Sequence, residues 1–181
     1  MCIRDRSWTG QNANKILSKA VGRPVICVND ADGAGYAEAE YGAAGGKDGT
    51  IFVSTLGTGI GTALIVDHQL VQNAELGHIY LPNGHVAEKW ASAAVREREK
   101  LDFPQWATRL TDVYREYEKL FSPDLFIVGG GVSKKADQFL HLIDIKTPIV
   151  PATLFNTAGI VGAAALAYKT AKAQTGTKKK K

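Results

Sequence analysis

Cysteine is nearly absent from this chain. Its 181 residues include only Cys2 and Cys27, which lie far apart in unrelated contexts. They form neither a metal-binding pair nor a disulfide framework. Long apolar runs are also missing, because none reaches the ~18 residues that a membrane span needs and no apolar signal segment lies near the N-terminus. We therefore expect a cytoplasmic protein that makes no use of a membrane.

The chain has little net positive charge outside the C-terminus. The formal net charge is +4, and Lys178 to Lys181 supply four positive charges. Like-charge runs of this kind are usually solvated, so residues 173–181 are predicted to form a disordered tail. The rest of the chain is close to neutral, which argues against a nucleic-acid-binding surface. The alternative is that the tail helps to bind a polyanion.

The first six residues, "MCIRDR", differ in character from the rest of the chain. They have no hydrophobic periodicity and no helix cap, and they resemble the translation of sequencing-adapter read-through at the end of a gene fragment. We predict that residues 1–6 are a non-native N-terminus. The alternative is an ordinary start with a charged, floppy terminus.

Hydrophobic periodicity and glycine positions predict alternating helices and strands. One predicted helix carries an apolar stripe at helical spacing, Trp106, Leu110, Val113, Tyr117 and Leu120, which is expected to pack in the core. Helices are predicted over 7–21, 31–41, 86–100, 104–121 and 132–142 and after a cap at Asn156; strands are predicted over 24–29, 50–56, 62–67, 70–73, 124–128 and 147–150. The order predicts an α/β layered fold with one antiparallel hairpin around Gly57.

Two glycine-rich turns are candidate phosphate sites. In "VSTLGTGIGTALIVD", Gly57, Gly59 and Gly61 allow backbone N–H groups to converge on an anion, and Thr58 adds a hydroxyl. No lysine or helix comes directly after it, so this is no Walker loop, and a plain hairpin is an equal alternative. In "LFIVGGGVS", Gly129 to Gly131 join a strand to a predicted helix start, where a phosphate or nucleotide fits. A tight turn is the alternative, and Lys134 and Lys135 just beyond it are either solvated or in contact with a polyanion.

Two polar motifs are candidate sugar-binding sites. In "VND", Asn29 has a donor and an acceptor for hydroxyl groups, and Asp30 can accept a proton from one. Simple capping of the next helix is the alternative. In "NAELGH", Glu75 and His78 can bind adjacent hydroxyls of a sugar, with Glu88 ten residues beyond His78, although a polar edge without function is equally compatible. No cysteine cluster comes after His78, so we predict no protein metal site.

Together these motifs are what phosphoryl transfer to a sugar requires: positioned phosphates, a metal ion to neutralise charge and a base near the accepting hydroxyl. The motifs "VND" with "ADGAGYAE", "LGTGIG", "NAELGH", "IVGGGVS" and "NTAGIVGAA" occur here in the order found in the ROK family of sugar kinases and repressors. The chain resembles that family from about Ser7 to Tyr168. It is most similar to the actinobacterial polyphosphate glucokinase subgroup, which lacks the zinc-binding cysteines of other members.

The resemblance implies an actin-like, ribonuclease H-like ATPase fold with two lobes around a cleft. It implies that Asp30 is the base that deprotonates the glucose 6-hydroxyl. Asn29, Glu75, His78 and Glu88 would bind glucose hydroxyls; Gly57, Thr58, Gly59 and Gly61 would contact the transferred phosphoryl group; and Gly129, Gly130 and Gly131 would face the nucleotide or polyphosphate. The implied donor is polyphosphate or ATP with Mg²⁺, and the implied assembly is a homodimer without nucleic acid.

The family's opening "DxGGT"-like phosphate loop has no counterpart here. We therefore expect residues 7–56 to be the remnant of an N-terminal lobe, residues 57–172 to be the C-terminal lobe, and the chain alone to be poorly stable and inactive. A sugar-responsive repressor of the same family, or a kinase for another hexose such as fructose or N-acetylmannosamine, is the alternative.

Overall fold

The computed structural model describes residues 8–178, with side chains described as far as residue 172. The described part contains six α-helices and five β-strands. The helices are α1 (Ala13–Val21), α2 (Asp30–Glu40), α3 (Ala87–Ala91), α4 (Ala93–Glu99), α5 (Phe103–Phe121) and α6 (Ala158–Lys178). The strands are β1 (Thr50–Leu56), β2 (Ile60–Val66), β3 (Gln69–Val71), β4 (Leu125–Gly129) and β5 (Ile149–Pro151).

The strands form one mixed sheet in the order β3-β2-β1-β4-β5. β1 and β2 pair as an antiparallel hairpin, with Leu56 opposite Ile60, and β3 pairs antiparallel to β2. β4 pairs parallel to β1, and β5 pairs parallel to β4. The predicted hairpin and the α/β class are both confirmed, and the parallel pair β1–β4 places both glycine turns at the same end of the sheet.

Helices cover both faces of the sheet, so the strands are buried and the molecule has three layers. On one face Phe52 and Phe126 pack with the α5 residues Trp106 and Tyr117. On the other face Ile51, Val53, Ile65 and Ile127 pack against α2 and α6. The alternation of Ile51, Phe52 and Val53 between the two faces results from the two-residue repeat of a strand.

Several predicted elements differ from the structure. The predicted strand over 24–29 is wrong: this segment has no strand partner among residues 8–178, and its N–H groups bind side chains of α1. Val25 N–H donates to Ser18 Oγ at 2.8 Å, and Cys27 N–H donates to Asn14 Oδ1 at 2.9 Å. An apolar run alone therefore did not determine a strand, because a strand also needs a paired neighbour.

The other differences concern helices. The predicted helix over 86–100 is broken at Ser92, whose extended backbone (ψ 160°) and side chain cap α4. The segment predicted as a helix over 132–142 forms 3₁₀ turns, Gly131–Gln138 and Leu140–Leu142. Leu120 is half exposed, unlike the other members of its stripe. Asn156 lies inside a 3₁₀ turn and does not cap α6, which begins at Ala158.

Some of the sequence predictions concern the two ends of the chain. Residues 1–6 lie outside the described residues, as do residues 179–181. α6 continues to Lys178, into the stretch predicted to be a disordered tail. The proposed lobe boundary at residue 57 falls in the β1–β2 turn and stays a prediction. No helix within residues 8–178 is long and apolar enough to cross a bilayer.

Candidate active site

Asn29 and Asp30 lie where α2 begins. Asn29 Oδ1 accepts a hydrogen bond from the N–H of Ala31 at 2.8 Å, so this side chain caps the helix. Its Nδ2 donates to Glu75 Oε1 at 2.9 Å. Asp30 Oδ1 also accepts from the Ala31 N–H, at 2.8 Å, and Asp30 is exposed. Capping therefore does not exclude substrate contact by Asp30, because this residue is exposed.

The loop that carries Glu75 and His78 is held against β2. Leu76 N–H donates to Thr62 Oγ1 at 3.0 Å, and the Thr62 hydroxyl in turn donates to the carbonyl of Ala74. A Cβ on Gly77 would collide with the backbone carbonyl of Ile60. The glycine of "NAELGH" is thus required by close packing, and it fixes the Leu76–His78 3₁₀ turn beside the glycine hairpin.

Glu88 lies between the loop that carries Glu75 and His78 and the first glycine turn. It lies on α3 with a side chain only 17% exposed, and its Oε1 is 3.7 Å from His78 Nε2 and 3.2 Å from Lys89 Nζ. A Cβ on Gly59 would collide with Glu88 Oε2. The absence of a side chain at Gly59 therefore lets a partly buried carboxylate approach the turn.

The two glycine turns meet each other and the start of α2. A Cβ on Gly61 would lie 2.5 Å from Thr55 Oγ1 and 3.0 Å from the Cβ of Ala31, the residue after Asp30. Gly130 has φ +89°, and a Cβ there would collide with the backbone of Leu56, the residue before Gly57. Both turns lie beyond the carboxyl ends of parallel strands, where ligands bind in open α/β sheets.

Two clefts open on either side of Gly131. One, of about 140 Å³, is lined by apolar and small residues together with Thr55, Lys134 and Phe155. The other, of about 350 Å³, lies between the first glycine turn and α4; its lining includes Gly57, Thr58, Arg96, Glu97 and Lys135. Gly57 and Thr58 are exposed, and a Cβ on Gly57 or Gly131 would meet nothing within 4 Å. Space for a ligand therefore exists beside both predicted phosphate-contacting turns.

Two residues in this region were not predicted from the sequence. Asp32 is 1% exposed, and its Oδ2 accepts from the N–H of Asn73 at 2.9 Å. Burial raises the pKa of the Asp32 carboxyl, and the carboxylates of Glu75 and Asp30 act in the same direction. Arg96 contributes its guanidinium to the larger cleft. The "NDAD" spacing was a signal for Asp32, whereas Arg96 lies in a charged run that is typical of a solvated helix face.

The metal prediction concerns protein ligands. Within residues 8–178, no group of three or more His, Cys, Asp or Glu side chains is arranged to hold a metal ion. His68, which contacts Glu40 and Asp48, lies on the β2–β3 turn and takes no part in the clefts.

The sequence profile of the ROK family matches residues 3–93, about half of the chain. The chain belongs to the ROK family. It is 45% identical over 161 residues to the polyphosphate glucokinase of Mycobacterium tuberculosis (strain CDC 1551 / Oshkosh), a match that covers 88% of this chain and 60% of that protein. The family assignment agrees with the motifs around Asn29, Gly57 and Glu75, all of which lie inside the matched range.

Solved ROK structures show the same fold. The inorganic polyphosphate/ATP-glucomannokinase of Arthrobacter sp. strain KM superposes with a TM-score of 0.82 at 52% identity, over 91% of this chain and 65% of that one. The ROK hexokinase of Thermus thermophilus gives 0.75 at 27% identity, over 88% and 70% of the two chains. The fold is thus the actin-like ATPase fold of ROK sugar kinases, and the chain spans about 60% of the mycobacterial relative's length.

Proposed function

We propose that this ROK chain carries the sugar-binding and donor-binding residues of a glucokinase that transfers a phosphoryl group from polyphosphate or ATP to the 6-hydroxyl of glucose. The observation that carries the proposal is the packing of Gly61 against Ala31. It brings the glycine hairpin to the start of α2, beside Asp30. The proposed base and the proposed phosphate-binding turn would thereby be held on adjacent, rigid elements.

The sugar would be bound by paired side chains. Asn29 and Glu75 already share a hydrogen bond, and His78 lies near Glu88, so two polar pairs flank the same loop. Such pairs keep donors and acceptors oriented toward adjacent hydroxyl groups. Asp30 would accept the 6-hydroxyl proton as the oxygen attacks the phosphoryl group. The Arthrobacter relative is described as a glucomannokinase, so mannose is the second sugar to test.

The phosphates would be bound by backbone N–H groups of the two glycine turns. Developing negative charge is stabilised most effectively by donors that are positioned before the reaction. Magnesium would arrive with the donor, because Mg²⁺ is usually bound through substrate phosphates and water and seldom by an all-protein cage. When bound, the ion would neutralise charge on the donor.

The experiment separates sugar binding from turnover, because the isolated chain is expected to be inactive. Glucose and mannose binding to the 181-residue chain can be measured by calorimetry, and detectable glucose phosphorylation by this chain would contradict the expected inactivity. Turnover is then measured in a chimera that joins this chain to the part of the Arthrobacter enzyme outside the structural match, with polyphosphate and with ATP.

In the chimera, Asp30→Asn is expected to lower kcat by about 10²–10⁴-fold with little change in glucose affinity, since the amide cannot accept the proton. Asp137→Asn, an exposed carboxyl on the 3₁₀ turn 131–138, is the matched control. Near-normal turnover in the Asp30 variant would overturn the assigned role. A cytoplasmic location and a homodimer remain predictions from the family resemblance.

A further inference from the structure

Two buried side-chain polar atoms within the described residues have no hydrogen-bond partner, and both belong to the site region. They are Asp32 Oδ1 and Arg96 Nε. Buried polar atoms without partners are rare in folded proteins, and each one needs a physical explanation. Arg96 is the more informative, because its side chain lines the cleft of about 350 Å³ next to Gly57 and Thr58.

The Arg96 guanidinium is fixed in place by aromatic rings. Its Cζ lies 4.0 Å from the centroid of the Phe103 ring and 5.8 Å from that of Trp106. A guanidinium stacked on an aromatic face keeps its N–H edge available for a ligand. No carboxylate within residues 8–178 forms an ion pair with Arg96, although Glu97 is its neighbour in the chain and lines the same cleft.

Arg109 shows what a structural arginine looks like in the same helical layer. Its Cζ also stacks on an indole, 4.3 Å from the Trp90 centroid. In contrast to Arg96, its guanidinium binds Glu99 Oε2 at 2.7 Å and the carbonyl of Trp90 at 3.2 Å. Both arginines therefore stack on aromatic rings. Arg109 is paired with a carboxylate, whereas Arg96 has no ion-pair partner among the described residues.

The cleft also contains a second cation. Lys135 lines the cleft and is exposed on the segment that comes after the second glycine turn. Two positive side chains thus share the cleft with one negative side chain, Glu97, and with residues of both glycine turns. The cleft on the other side of Gly131 has one cation, Lys134, together with one carboxylate, Glu38, and the rest of its lining is uncharged, mostly small or apolar. Its chemistry is less suited to a chain of charged phosphates.

We propose that Arg96 and Lys135 bind the phosphate chain of the donor, beyond the phosphoryl group that is transferred, in the cleft between the first glycine turn and α4. The inference rests on the proposed function, since it places the donor of that reaction. An arginine fork binds phosphate oxygens in a bidentate manner, and Arg96 lines the cleft without an ion-pair partner among the described residues. Inorganic polyphosphate is the ligand class that this chemistry favours.

The test measures tripolyphosphate binding to the full 181-residue chain by calorimetry at low salt. Arg96→Gln is expected to weaken binding by about tenfold or more, the usual size of a lost charge-assisted hydrogen bond. Arg109→Gln, which removes a stacked arginine that is already paired, is expected to change the affinity less than about twofold, because its charge is neutralised by Glu99. Equal losses in the two variants, or wild-type affinity in the Arg96 variant, would overturn the proposal.

Lys135→Gln is a second test in case Arg96→Gln fails to fold. Lys135 is exposed, so its replacement is not expected to disturb folding. It is expected to weaken tripolyphosphate binding severalfold, and unchanged binding would remove Lys135 from the site. Glucose binding is measured in parallel. If the chain binds tripolyphosphate through Arg96 but binds no glucose, the phosphate site is supported and the proposed sugar kinase function is rejected. A wild-type chain that binds glucose but no tripolyphosphate rejects the site alone.

Discussion

The carboxylate of Asp32, on α2, accepts a hydrogen bond from the backbone N–H of Asn73 at 2.9 Å. Asn73 has a left-handed backbone conformation, φ +61°, at the start of the loop that carries Glu75 and His78. The helix that begins with Asp30 is therefore tied to the loop that carries Glu75 and His78 through one buried side chain. This bond holds together two parts of the site that lie 41 residues apart in the sequence.

Asp32→Ala is expected to destabilise the protein by about 1–3 kcal/mol and to weaken glucose binding, because it leaves the Asn73 N–H without its partner. Asp32→Asn keeps an acceptor for that N–H and is expected to preserve most of the affinity. Urea unfolding and calorimetry with glucose would measure both effects. If the alanine variant binds glucose as tightly as the wild type, Asp32 does not position the loop.

Burial of the Asp32 carboxyl also predicts how the stability of the protein depends on pH. Its pKa is raised by burial, so the folded state holds the proton more tightly than the unfolded state does. Its contribution to stability is present below the unfolded pKa and is lost as the pH rises through the folded pKa. The stability of Asp32→Asn relative to wild type is therefore expected to increase from about pH 4 to about pH 7, the range above the ordinary pKa of an aspartate. A constant difference across this range would contradict the raised pKa.

Gly77→Ala is expected to destabilise the fold by about 1–3 kcal/mol, because the added methyl group collides with the carbonyl of Ile60 on β2. Gly57→Ala is the matched control, since a Cβ there meets nothing within 4 Å. Thermal unfolding should separate the two variants clearly. Equal melting temperatures would show that the loop can shift to accommodate the methyl group.

His68 predicts a second pH effect, away from the site. Its pKa is raised by hydrogen bonds to Glu40 and Asp48, at 2.9 Å each, while Lys169 Nζ binds the carbonyl of the same residue. Protonated His68 therefore favours the folded state. That contribution is complete below the ordinary pKa of about 6.5 and disappears as the pH rises above the raised value.

The measurement is the loss of stability in His68→Gln, obtained by urea unfolding at about pH 6 and at about pH 9, on either side of the titration. The loss is expected to be larger at the lower pH. His141→Gln, at an exposed position with no ion pair among the described residues, provides the control. A loss in His68→Gln that is the same at both pH values would mean that the carboxylates do not stabilise the protonated ring.

Strands with a strong local signature, and the motifs at their ends, could be predicted from the amino-acid residues alone. Thr50 to Leu56 was predicted with the bounds that the structure has, because β-branched residues lead directly into a glycine turn. The cap at Asn29 and the tight turns at Gly57 and Gly130 could also be predicted from the sequence, because caps and tight turns depend on local backbone geometry.

Whether each local pattern found a partner depended on the folded arrangement of the chain. Residues 24–29 have the composition of a strand, but their N–H groups bind Ser18 and Asn14, so no strand forms. Arg96 and Arg109 are both arginines in charged, amphipathic segments, yet Arg109 is neutralised by Glu99 and Arg96 is stacked beside an open cleft. Sequence spacing cannot distinguish the two, because the carboxylates and rings that decide their roles come from other helices.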